Sequence, residues 1–243
     1  VAPNVEVHVA DGIATITVPN QEDAPPPPTV EPVFDKALRT AQTGDYSKAI
    51  RLFREVLHLA PAHVDARRNL GMALFESGQT DEALNEFIDV LRQDPKDVWT
   101  LVLVANLFFQ VKQDLQTAER YYKSALQLNP GDVYALSNYG ALLAQAGRTE
   151  EARRILQETI AENPEYPNPY YSLALLELQA GNAIKSTEIL EKLFVETDSS
   201  DKRSQVVYEH GRELYRSAME TLAKESDQIR SFVEARKTEI ERS

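Results

Sequence analysis

The sequence predicts an all-α fold, an α-solenoid of repeated helix-turn-helix pairs, with a small N-terminal β-hairpin and a long C-terminal helix. Three observations carry this expectation. Gly44, Gly78, Gly147 and Gly181 are separated by 34, 69 and 34 residues, and Pro61, Pro95, Pro130 and Pro164 follow at 34, 35 and 34. Ala49, Ala83, Ala118, Ala152 and Ser186 keep the same register. Apolar residues recur at helical spacing on both sides of the glycines. Leu70, Gly71 and Leu74 precede Gly78, and Ala83, Phe87, Val90 and Leu91 follow it. Each unit therefore reads as two amphipathic helices joined by a tight turn.

Composition narrows the function classes. The 243 residues are 42% hydrophobic and 26% charged, as in soluble globular proteins. Lys and Arg total 26 against 38 Asp and Glu, a formal charge of -12, which argues against nucleic acid or an anionic membrane surface as the main partner. The absence of cysteine excludes disulfides, thiol nucleophiles and thiolate metal sites. No apolar run approaches the roughly 18 residues of a membrane span. The chain starts at Val1 rather than Met, so the natural start is expected to be missing, and a cytoplasmic location is the expectation.

Residues 1–19 are expected to form a hairpin extension, with Asp11-Gly12 as its two-residue turn and Val5, Val7, Val9, Ala14, Ile16 and Val18 on one face. Two strands alone are marginal in water, so that face needs a cover. Residues 20–32, with Pro25, Pro26, Pro27 and Pro28, read as a polyproline II linker, whose alternative use is docking to an SH3-like domain.

From residue 33 to 198 many independent positions agree. The first helix of each unit carries a small residue, Ala37, Gly71, Ala105, Gly140 and Ala174, and the second a large one, Phe53, Phe87, Tyr122, Leu156 and Leu190. This pattern resembles the tetratricopeptide repeat (TPR) family, and five units fit, at about 30–63, 64–97, 98–132, 133–166 and 167–198. The third unit lacks the glycine, with Gln110 to Asp114 in its place, so its inter-helix turn is expected to be longer; the fifth lacks the closing proline. Thr80, Thr149, Asp97, Asp132 and Asn168 are candidate N-caps. Residues 199–243 read as a C-terminal capping helix, with Val207, Leu214, Ala218, Leu222, Ile229, Val233 and Ile240 as its apolar stripe; the alternatives are a dimerising seam and a tail that folds back onto the array.

The resemblance implies a right-handed solenoid whose first helices line a concave, peptide-binding groove. The second, fifth, sixth, ninth and twelfth positions of each unit would face it. Unit two supplies Asp65, Arg68, Asn69, Met72 and Phe75, and unit three Trp99, Val102, Leu103, Asn106 and Phe109. Unit four supplies Tyr134, Ser137, Asn138, Ala141 and Ala144, and unit five Asn168, Tyr171, Ser172, Leu175 and Leu178. A stripe this rich in aromatic and aliphatic side chains calls for a cover. Asn69 and Asn138 match the asparagines by which some TPR superhelices, such as that of the O-linked N-acetylglucosamine transferase, hold a peptide backbone. Leu103 and Ser172 interrupt that ladder. The alternative role for both asparagines is to satisfy helix ends or water. Trp99, Phe109, Tyr134 and Tyr171 would be apolar anchors, or else be buried under the terminal helix.

The carboxylate clamp of some TPR co-chaperones is not matched, because Phe34, Leu38, Asn69, Trp99 and Leu103 stand at its positions without a basic residue. No catalytic motif is found. His8, His58, His63 and His210 lack metal-ligand spacing, and there is no phosphate loop or nucleophile elbow. The Arg148, Arg153 and Arg154 cluster is expected to pair with Glu150, Glu151 or Glu158. A non-enzymatic interaction scaffold without cofactor or metal follows, binding a protein or peptide segment. The alternatives are the accessory region of a larger enzyme and a self-assembling homodimer formed through the hairpin or the terminal helix.

Overall fold

The computed structural model describes residues 29–197 and 202–241, with side chains for 29–197 and 204–227, and two backbone stretches, Glu6–Ala10 and Ile13–Thr17, that run antiparallel. The turn and the apolar face of the expected hairpin lie outside the described residues, as does the proline-rich stretch. The established fold is all-α, and it rests on the helices alone.

Ten helices form five antiparallel pairs: α1 Val30–Gln42 with α2 Tyr46–Leu59, α3 Val64–Glu76 with α4 Thr80–Gln93, and α5 Val98–Leu107 with α6 Leu115–Leu128. The remaining pairs are α7 Val133–Gln145 with α8 Thr149–Glu162, and α9 Pro167–Gln179 with α10 Ala183–Glu196. Each first helix after α1 also packs on the pair before it, which gives a stacked array. Every small residue of the first helices and every large residue of the second helices is buried. The fit is tight: a Cβ on Gly71 would lie 2.5 Å from Phe87 Cε1, and one on Gly140 would lie 2.7 Å from Leu156.

Gly78, at φ 82°, ends α3 in the left-handed region, where a glycine pays no Cβ penalty. Its neighbours close the turn, Gly78 N donating to Phe75 O and Gln79 N to Leu74 O. Unit three solves the same problem without glycine. Its α5 continues into a π-helical turn, Phe108–Lys112, and Gln113 takes the left-handed position at φ 54°. The extra length sits in the helix and the connection itself is short, so the expected longer turn is corrected.

Asp97 and Asp132 cap α5 and α7 as anticipated, accepting from Thr100 N at 2.8 Å and Ala135 N at 2.9 Å. Thr80, Thr149 and Asn168 do not cap. Each lies inside its first turn, and α9 instead places Pro167 at N1, where the missing N–H costs nothing. Asp45, His63 and Asp114 cap α2, α3 and α6.

A single helix, α11 Lys202–Glu241, follows the fifth pair. It packs on both α9 and α10, as α9 packs on α7 and α8, and so takes the place of a further unit's first helix. Tyr208, Gly211, Leu214 and Ala218 are the buried face. The expected stripe holds at Leu214 and Ala218 and shifts to Tyr208 rather than Val207; Ile229, Val233 and Ile240 lie outside the described side chains.

Candidate inner-face site

The first helices carry the candidate residues, and their burial separates them. The second, sixth, ninth and twelfth positions of units two to five are half-buried or exposed, as a surface-lining stripe requires. The fifth position departs from expectation in units three and four. Val102 and Ser137 are buried between helices, and Ser137 Oγ donates to Val133 O at 2.6 Å.

Arg68 is committed inside the chain. Its guanidinium pairs with Asp65 at 2.6 Å and with Asp97, and Nε donates to Thr100 at 3.2 Å. Burial disfavours the charge, but Asp97 and Asp65 hold it above its ordinary value, so Arg68 bolts α3 to the start of α5. Asn69 Nδ2 donates to Asp65 O at 2.7 Å, within its own helix. Met72 and Phe75 are half-buried against the core of the first three units, and Phe109 against that of units three to five.

The structure brings Asn106 and Asn138 together. Asn138 Nδ2 donates to Asn106 Oδ1 at 2.9 Å, across adjacent units, and the buried Tyr122 hydroxyl donates to the same oxygen. Burial pushes the Tyr122 hydroxyl well above its ordinary pKa, so it remains a donor. One amide oxygen is therefore filled twice. Asn106 Nδ2 and Asn138 Oδ1 have no protein partner among the described residues.

Trp99 and Tyr134 meet edge to face at 5.7 Å, and Tyr134 meets Tyr166 in the same way at 5.8 Å. The three rings form a row across the starts of α5, α7 and α9. Tyr166 was not anticipated, because it stands at the N-cap of α9, one residue outside its unit's repeat register. Tyr171 lies apart from this row, against His210 of α11 at 6.1 Å, within the apolar contacts of Leu190, Leu193 and Leu214. Burial, helped by Glu213, raises its pKa. The terminal helix covers Tyr171 and leaves the Trp99 row open.

The arginine cluster is paired. Arg148 binds Glu151 and also Glu119 at 2.6 Å; Arg153 binds Glu150 and the buried Glu177; Arg154 and Glu158 stand 3.8 Å apart. Glu119 and Glu177 belong to neighbouring helices, so these arginines fasten successive units. No described helix is long and apolar enough to cross a membrane.

The tetratricopeptide repeat family profile matches residues 41–103 and 112–177, more than half of the chain. The chain is 23% identical over 165 residues to the Drosophila melanogaster protein O-mannosyl-transferase Tmtc3, covering 67% of this chain and 18% of that protein. It is 28% identical over 130 residues to the type IV pilus assembly protein PilF of Pseudomonas aeruginosa, covering 53% of this chain and 51% of that one. The chain thus spans about half or less of these curated relatives' length. Among solved structures, a thermophilic TPR protein of Thermus thermophilus aligns with a TM-score of 0.64 at 19% identity, over 75% of this chain and 98% of that one. With the stacked pairs, the glycine turns and the small-against-large packing, these matches establish that the chain belongs to the tetratricopeptide repeat family.

Proposed function

We propose that the chain is a non-enzymatic scaffold that holds an extended or helical segment of a partner protein along the inner face of its helix array. The family is generally one of protein-interaction modules, and the finer reading is supported by the Asn106–Asn138 pair. The pair offers an amide donor and an amide acceptor beside half-buried Leu103 and Phe109. That is the complement of one peptide unit's C=O and N–H, and it grips a backbone without reading its side chains. In this reading residues 1–19 are an extension, 20–32 a linker, 33–198 five repeats wound right-handedly, and 199–243 the cap. Asn69, Met72, Phe75, Trp99, Phe109 and Tyr134 line the same face, and Arg68 and Tyr171 hold it in shape.

The test is site-specific photo-crosslinking. A photoreactive residue at Leu103, on the inner face, is expected to capture a partner segment that mass spectrometry maps to one stretch of sequence. The same group at exposed Leu128, on α6, is expected to capture nothing in common with it. Asn106→Ala/Asn138→Ala should abolish the Leu103 product. Crosslinks that form only from Leu128 would place recognition elsewhere and reject the groove.

A second reading is favoured by the Tmtc3 match: the chain is the repeat region of a larger enzyme. The surrounding open reading frame decides it, since a transferase domain would carry its own motifs.

A further inference from the structure

We propose that the segment this inner face receives is extended and cationic, its Arg or Lys side chains stacking on the Trp99–Tyr134–Tyr166 row; this deepens the groove reading and rests on it. The rings come first. Interplanar angles of 86° and 81° set each ring edge-on to its neighbour, so the row presents ring faces rather than a closed stack. Tyr134 keeps 37% of its surface exposed. A guanidinium or ammonium within about 6 Å of such a face is attracted by the ring quadrupole.

Charge selects the occupant. Along the inner-face positions of all five units the charged residues are Glu31, Asp35, Asp65 and Arg68. The three acids are exposed, and neither Glu31 nor Asp35 forms an ion pair among the described residues. Arg68, the one cation, is spent between Asp65 and Asp97. An acidic segment would meet like charge with no free cation to answer it, on a chain whose net charge is -12. A basic segment meets acids at the unit-one end and aromatic faces in the middle. Adjacent helices lie about 10 Å apart, so an extended chain at about 3.3 Å per residue advances one unit in about three residues.

Trp99 is the sole tryptophan, so its fluorescence reports on the row directly. The probes are three 12-residue peptides in which alanine alternates with Arg, Gln or Glu. The Arg peptide should shift Trp99 emission and bind at least roughly 10-fold tighter than the Gln peptide, with the Glu peptide weakest. Tyr134→Ala should weaken the Arg peptide roughly 3- to 30-fold, while Tyr134→Phe, which keeps the ring face, should stay near wild type. Circular dichroism checks that both variants are folded. Equal binding of the three peptides would overturn the cationic assignment and leave the groove reading standing. An Arg peptide held equally by wild type and Tyr134→Ala would assign the attraction to net charge and also overturn it. No Trp99 response to any peptide would reject both.

Discussion

Gly71 and Gly44 are glycines for opposite reasons. Gly71 lies inside α3, where a Cβ would strike the buried Phe87 ring; Gly44 has nothing within 4 Å of its Cβ position but sits at φ 83°. Alanine at 71 gains about 1 kcal/mol of helix propensity and costs about 1–3 kcal/mol in overpacking. Alanine at 44 costs about 1–2 kcal/mol of left-handed strain. Both variants should lower stability in urea unfolding, and a second change separates them. Phe87→Leu should restore part of the loss at Gly71→Ala and none of it at Gly44→Ala. If it restores neither, packing against Phe87 is not what keeps residue 71 small.

At the scale of elements, α11 packs on α9 and α10 as the first helix of a next unit would. Its hold depends on Leu214 against Ala174 and Leu190, on the buried Ala218, and on the Tyr208 hydroxyl, which reaches Leu193 O at 3.2 Å. Repeat arrays lose order by neighbours rather than all at once, since each unit touches only those beside it. Leu214→Asp should therefore release α11 and expose the apolar face of α9 and α10. Hydrogen exchange should show protection lost in α9 to α11 and retained in α3 to α6. Uniform loss along the chain would mean a single cooperative core. The π-helical turn after α5 is a second element-level device, absorbing the irregular unit while α6 remains in register for Tyr122 to reach Asn106.

Across the whole molecule, apolar packing between units is supplemented by ionic links that bridge them. Glu119 of α6 bonds Lys123 at 2.8 Å, Arg148 at 2.6 Å and the Tyr139 hydroxyl at 2.9 Å. The Lys123 ammonium foremost, then Arg148 and Tyr139, lower its pKa from 4.5 to about 2 against partial burial. A carboxylate with a lowered folded pKa stabilises above its unfolded pKa, and the contribution disappears as pH falls from about 4.5 toward 2. Glu119→Gln should cost about 1 kcal/mol at pH 7, allowing for solvent screening, and close to nothing at pH 2. Urea unfolding at pH 7, 4 and 2.5 measures this, and a pH-independent difference would contradict the assignment. The period, the glycine turns, the small and large packing positions and the caps at Asp97 and Asp132 were legible in the sequence, because each depends on residues within one unit. The candidate site was legible only as a stripe. Asn106 bonding to Asn138, Arg68 reaching Asp97, Val102 and Ser137 turning inward, Tyr166 completing the ring row and Tyr171 disappearing beneath α11 all depend on the neighbouring pair or the terminal helix. That helices would pair and stack follows from local periodicity, which writes the buried face of every helix. Which of the remaining side chains stay open to a partner was decided only by the tertiary structure, because that depends on what the adjacent unit places against them.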